Sequence, residues 1–245
     1  SPCSGCFQWR CPALAKCFPE KHVLLLLCLA PECTCGPVDL LFVLDSSESI
    51  GLQNFQIAKD FIIKVIDRLS KDERVKVTFP LSAVKSLCTL TYFSLQAGKW
   101  GGAPTPKSLH QYNYTVIAKA IDNMEFMNDA TDVNSALQFI TEMYRRSARA
   151  AAKKRVLVFS DGHSQGITAR AIERAVQDAQ KADIEIYVLA VGSQANEPNI
   201  RVLVTGKSAD YDVVYGERHL FRVPDYTSLL RGVFYQTVSR KIAVD

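Results

Sequence analysis

Residues Val38–Gly51 read VDLLFVLDSSESIG, and this stretch decides the fold. Its first seven residues, Val38–Leu44, are apolar except for Asp39. A strand wetted on one face alternates apolar with polar residues, whereas a strand buried on both faces does not alternate. Val38–Leu44 is therefore expected as an inner strand of a covered sheet. A polar turn follows, and then Phe55, Ala58, Ile62, Val65, Ile66 and Leu69 recur at three- and four-residue spacing. That spacing predicts one buried face of a helix over Leu52–Leu69.

The same alternation continues outward. Arg155–Phe159 (RVLVF) and Ile184–Val191 (IEIYVLAV) read as further buried strands. Between them, Ala171, Ile172, Ala175, Val176 and Ala179 line one side of a helix over Thr168–Ala182. A short helix is expected near Pro198–Val204, and Asp212–Tyr215 (DVVY) as a fourth strand. A last helix is expected to open at Val223-Pro224-Asp225, with Leu229, Leu230, Val233, Phe234 and Val238 as its core stripe. Other helices are expected from near Tyr114 and over Thr131–Ala148. Val75–Phe79 (VKVTF) and Leu87–Leu95 (LCTLTYFSL) read as an antiparallel edge pair, and Gly98–Pro106 as a loop. Strands alternating with helices define the class: α/β, doubly wound, with a mostly parallel sheet flanked by helices.

The chain has 245 residues, 48% hydrophobic and 22% charged. That is globular composition, and it excludes a mainly disordered chain, a collagen triple helix or a coiled coil within these residues. A net charge of +4 is too small for a nucleic-acid-binding footprint. The first Met is Met124, which reads as a fragment or a processed product. The longest apolar run, Val23–Ala30, has eight residues against the roughly 20 that cross a bilayer. It is expected as a buried strand or a short apolar helix, so no membrane span is expected.

Seven of the eight cysteines fall in the first 35 residues, and the eighth is Cys88. Cys3-x-x-Cys6 with Cys11 and Cys17 has some of the spacing of a zinc knot, but a second C-x-x-C pair is missing. Extracellular disulfides fit better, which makes residues 1–34 a Cys-rich irregular head. Asn113-Tyr114-Thr115 is an N-glycosylation sequon, with Asn113 as the acceptor.

Ligands of an open α/β sheet bind beyond the carboxyl ends of its strands. The residues in that position are Asp45-Ser46-Ser47-Glu48-Ser49 after the first strand and Ser160-Asp161-Gly162 after RVLVF. Asp129-Ala130-Thr131-Asp132 stands at the start of a helix between them. Hydroxyls from Ser47, Ser49 and Thr131 and carboxylates from Asp45 and Asp161 make an all-oxygen set, suited to a hard divalent cation such as Mg²⁺. Such a set leaves a coordination position for an acidic group from a partner. Each residue also has a plainer role open to it: the hydroxyls as helix N-caps, Asp161-Gly162 as a turn.

VDLLFVLDSSESIG, Thr131 and Val156–Gly162 (VLVFSDG) together resemble the von Willebrand factor A domain family and its metal ion-dependent adhesion site. The resemblance covers about residues 36–240 and implies that Asp45, Ser47, Ser49, Thr131 and Asp161 are the metal set. Within the family, Cys35–Val75 resembles the opening of the first C-terminal A module of collagen VI type. Tyr112–Asp245, with FMNDATDVNSAL, FSDGHSQG and NEPNIRVLVTGKSADYDVVYGERHLFRVP, resembles the second. About Val77–Gln111 resembles neither, so the chain reads as one domain over 35–240 that joins two modules. Family members often tie the start of the domain to its end by a disulfide. Cys35 stands where such a bridge begins, but no Cys follows Cys88.

The resemblance implies a secreted extracellular matrix module, not an enzyme, that engages matrix proteins such as collagens and other collagen VI chains through the cation. The competing reading is a metal-dependent hydrolase at the same place. It needs a base, and His163 is the only candidate beside Asp161. No G-x-x-x-x-G-K occurs, so nucleotide chemistry lacks its loop.

Overall fold

The computed structural model describes residues 38–45, 50–71, 77–78, 90–97, 114–126, 133–147, 153–163 and 168–243. The Cys-rich head, Asn113 and the Gly98–Pro106 loop lie outside these residues, as do Ser47, Ser49 and Thr131.

Six strands form one sheet: β1 (Val38–Asp45), β2 (Val77–Thr78), β3 (Leu90–Ala97), β4 (Lys153–Phe159), β5 (Ile184–Val191) and β6 (Leu220–Val223), in the spatial order β2-β3-β1-β4-β5-β6. β1, β4, β5 and β6 run parallel, and β3 pairs antiparallel with both β1 and β2. The helices are α1 (Leu52–Ser70), α2 (Tyr114–Asp122), α3 (Val133–Ser147), α4 (Ala169–Lys181), α5 (Glu197–Thr205), α6 (Val213–His219) and α7 (Gly232–Ala243). The doubly wound α/β class is thus present. No helix among the described residues is long and apolar enough to cross a membrane.

Period-two alternation splits the inner strands between two cores. Leu40, Phe42 and Leu44 of β1, Leu157 and Phe159 of β4, and Tyr187, Leu189 and Val191 of β5 face α1 and α7. Leu41 and Val43, Val156 and Val158, and Ile186, Val188 and Ala190 face α3, α4 and α5. Both faces being apolar is why these strands show no polar alternation in sequence. On the first face Phe61 of α1 stands 5.7 Å from Phe159, edge to face, and 6.0 Å from Phe234 of α7. One ring therefore joins sheet, α1 and α7, and burying it stabilises the fold by roughly 1.5–3 kcal/mol.

α1 carries an unexpected buried cation. Lys59 lies on the core-facing stripe and is 4% exposed. Its Nζ donates to the carbonyl oxygens of Asp122 at 2.7 Å and Met124 at 3.2 Å. The lysine thus satisfies the last carbonyl of α2, which the helix cannot satisfy itself, and one carbonyl in the turn beyond it.

Two expectations are corrected. Asp212–Tyr215 is not a strand: Val213–His219 is α6, and the strand is Leu220–Val223. Asp212 caps the helix, its Oδ1 accepting the Tyr215 N–H at 3.0 Å, and both valines point to solvent. The last helix also does not open at Pro224. Val223 ends β6, Asp225 caps a 3-10 turn over Tyr226–Leu230, and α7 begins only at Gly232. Val233, expected in the core stripe, is 81% exposed, whereas Leu229 and Val238 are buried as expected.

Candidate metal centre

The sheet register sets the site. β1 and β4 are paired in parallel up to Val43 and Val158. Continuing that register carries Asp45 level with Ser160, one residue before Asp161. The two carboxylate-bearing positions therefore lie at neighbouring carboxyl ends, as ligand sites in such sheets require. Asp45 is the last residue of β1, where Leu90 of β3 pairs with it on the other side.

The chain past Asp45 reaches α1 through Gly51, whose φ is 76°. Gly51 occupies the cap position of α1. Of the expected set, Asp161 alone has a described side chain.

The corner after β4 is tightly specified. Ser160 is buried; its N–H extends the ladder to the Leu189 carbonyl at 3.2 Å, and its Oγ accepts the Gly162 N–H at 3.0 Å. The carboxylate of Asp161 is partly open, with its side chain 24% exposed. Its Oδ1 accepts the His163 N–H at 2.8 Å, and the His163 Nδ1 lies 3.4 Å from Oδ2. Gly162 has φ 79° and packs against the β5–α5 loop. A Cβ there would stand 2.6 Å from the Asn196 carbonyl oxygen, so the turn accepts only glycine.

That loop holds the corner from the other side. The Asn196 N–H donates to the Asp161 carbonyl at 2.7 Å. The Asn199 side-chain Nδ2 donates to the Gly162 carbonyl at 2.9 Å, and the Asn199 N–H donates to Asn196 Oδ1 at 3.2 Å. Next to it, Glu197 accepts from Arg222 at 2.6 Å and Arg201 at 3.2 Å. Partial burial pushes the Glu197 carboxyl up, but the hydrogen bonds from Arg222 and Arg201 outweigh it and hold it below its usual value.

The donor chemistry fits a hard cation: a half-open carboxylate on a rigid corner, beside a second carboxylate position at a strand end. Sequence reasoning found Asp161 but missed Asn196, Asn199 and Lys59. Asn196 was visible as an N-cap type directly before Glu-Pro, a helix-opening signal. Lys59 was visible as a lone cation among Phe55, Ala58 and Ile62.

The von Willebrand factor type A domain matches residues 39–236. The chain is 59% identical over 220 residues to the collagen alpha-1(VI) chain of Gallus gallus, covering 88% of this chain and 20% of that protein. It is 49% identical over 233 residues to the collagen alpha-1(VI) chain of Homo sapiens, covering 91% and 22%. The chain thus spans about a fifth of the length of these curated relatives. Among solved structures it is similar to proximal thread matrix protein 1 from the mussel byssus, with TM-score 0.56, 15% identity and coverage of 83% of this chain and 47% of that one. Another structure of that mussel protein, with a zinc-occupied MIDAS motif, gives TM-score 0.53 at 15% identity and the same coverage. At that identity the likeness speaks for the fold.

Proposed function

The chain belongs to the von Willebrand factor type A domain family, and on that premise we propose that it is a protein-binding module of the extracellular matrix that works through a divalent cation. Asp45, Ser47, Ser49, Thr131 and Asp161 hold the ion, Mg²⁺ by preference, at the carboxyl ends of β1 and β4. The observation that carries this reading is the Asp161 corner, a half-open carboxylate clamped at the strand end where the sheet register delivers Asp45. When bound, the cation supplies an electrophilic position that an acidic side chain of a partner completes.

The relatives named collagen alpha-1(VI) chain support a secreted location and partners among collagens, other matrix proteins and other collagen VI chains. The role is binding, not catalysis, with disulfides in the head and a glycan on Asn113. His163 does not alter this: it is exposed, and its ring turns back to Asp161. The test is binding of the whole chain to immobilised collagens in Mg²⁺ or Mn²⁺, with EDTA and with Asp45→Ala and Asp161→Ala. Binding lost in EDTA and in both variants is expected. Binding that ignores EDTA refutes the cation route, and turnover of a phosphate ester that tracks Asp161 refutes the non-enzymatic role.

A further inference from the structure

The start of α5 is wired to the metal corner in a way that helix starts ordinarily are not. At a well-capped start, the N-cap side chain accepts the N–H of the third helical residue, and that residue's side chain reaches back to the N-cap N–H. The first half is present here, since Asn196 caps α5 and Asn199, its third residue, donates its N–H to Asn196 Oδ1. The second half is missing. The Asn196 N–H goes instead to the Asp161 carbonyl, and the Asn199 side chain goes to the Gly162 carbonyl.

Two donors at the helix start, the Asn196 N–H and the Asn199 Nδ2, are therefore turned onto the successive carbonyls of Asp161 and Gly162. The Gly162–His163 peptide that Asn199 holds by its carbonyl also carries the His163 N–H that donates to Asp161 Oδ1 at 2.8 Å, so fixing that plane orients the Asp161 carboxylate. The hold matters because Gly162 imposes little restraint of its own; glycine reaches many backbone conformations at similar cost. A carboxylate on an unrestrained glycine corner would have to be ordered by the ion, which weakens the ion's binding.

We propose that Asn199 is a positioning residue for the cation: through the Gly162 carbonyl it pre-orders Asp161 for metal. This rests on the reading of Asp161 as a ligand given above. Groups that orient metal ligands without touching the metal commonly matter about 10–100-fold in affinity.

The test uses the whole chain with Mn²⁺ alone, titrated calorimetrically, together with the thermal midpoint in EDTA. Asn199→Leu keeps the bulk and loses the donor; Asn199→Ser is a milder second variant; Asn199→Gln keeps a donor. Asn199→Leu and Asn199→Ser should bind Mn²⁺ about tenfold or more weakly, while their midpoints in EDTA fall by only a few degrees, as for one lost hydrogen bond. Asn199→Gln should recover most of the affinity. Lowered midpoints with unchanged Mn²⁺ affinity would mean that Asn199 is merely structural, and would overturn the inference alone. Wild-type protein that takes up no Mn²⁺ would overturn the metal reading and this inference with it.

Discussion

Gly162 and Asn196 meet so closely that the space between them excludes a methyl group: a Cβ on Gly162 would lie 2.6 Å from the Asn196 carbonyl oxygen. The same residue has φ 79°, a region that costs other residues energy even in open space. Gly162→Ala is expected to destabilise the protein by about 1–3 kcal/mol from backbone strain, plus the cost of displacing the Asn196 loop. Urea unfolding in EDTA measures this without metal linkage. A variant within 0.5 kcal/mol of wild type, the rough scatter of neutral surface changes, would show that the corner is not held as described.

Tyr144 ties the two central strands together from α3. Its hydroxyl lies 3.0 Å from the Asp39 carbonyl of β1 and 2.8 Å from the Arg155 carbonyl of β4, and the residue is buried. Tyr144→Phe keeps the ring but strips both carbonyls of this partner, at a cost of about 1–3 kcal/mol. Burial also pushes the phenol well above its usual value of 10.0. The unfolded chain loses that proton first, so wild-type stability should fall as pH rises above the unfolded value. The Phe variant should lack that share of the alkaline loss in parallel unfolding curves.

The ion pair of Arg155 with Glu185 is lopsided. The Arg155 side chain is 3% exposed and that of Glu185 43%, with Nε and Oε2 2.7 Å apart. Removing one member of a pair is worst when it strands the buried charge. Glu185→Ala should therefore destabilise more than Arg155→Met, which leaves a carboxylate that water can reach. The Arg155→Met/Glu185→Leu double variant should recover much of the loss seen in Glu185→Ala. Denaturation midpoints in the reverse order would contradict this account.

His219 introduces an acid sensitivity away from the Asp161 corner. Its ring stacks on Tyr215 at 3.9 Å, its Nδ1 lies 2.9 Å from the Tyr215 carbonyl, and it is 8% exposed. Burial lowers its pKa below 6.5, against the pull of the Tyr215 carbonyl and of Glu185. Near pH 6 the unfolded chain then binds more protons than the native one, so stability rises with pH there. This contribution is complete above the unfolded value and is lost as pH falls through the folded value. His219→Phe should flatten the stability profile between pH 7 and pH 5. An unchanged slope would place the acid sensitivity elsewhere.

The parts of this fold that were legible in sequence are those whose cause is local. β1, β4 and β5 announced themselves because burial on both faces removes polar alternation, and α1 and α4 because one face is apolar at helical spacing. DVVY misled because two adjacent valines and a tyrosine carry strand propensity, while the deciding contact is the Asp212 cap. The late start of α7 was hidden because Val233 and Phe234 are both apolar, yet Val233 faces solvent. At the site, Asp161 was legible because it directly follows a buried run. Asn199 was not, because its partner Gly162 lies 37 residues away and nothing local marks the pairing.

The guanidinium that neutralises Glu185 has a second attachment. Its Nη1 donates to the Ile242 carbonyl, at the end of α7, over 3.1 Å. β4, which carries Arg155, lies between β1 and β5 rather than at an edge. A load on the last turn of α7 is thus passed to the middle of the sheet, onto a strand with a hydrogen-bonded neighbour on each side.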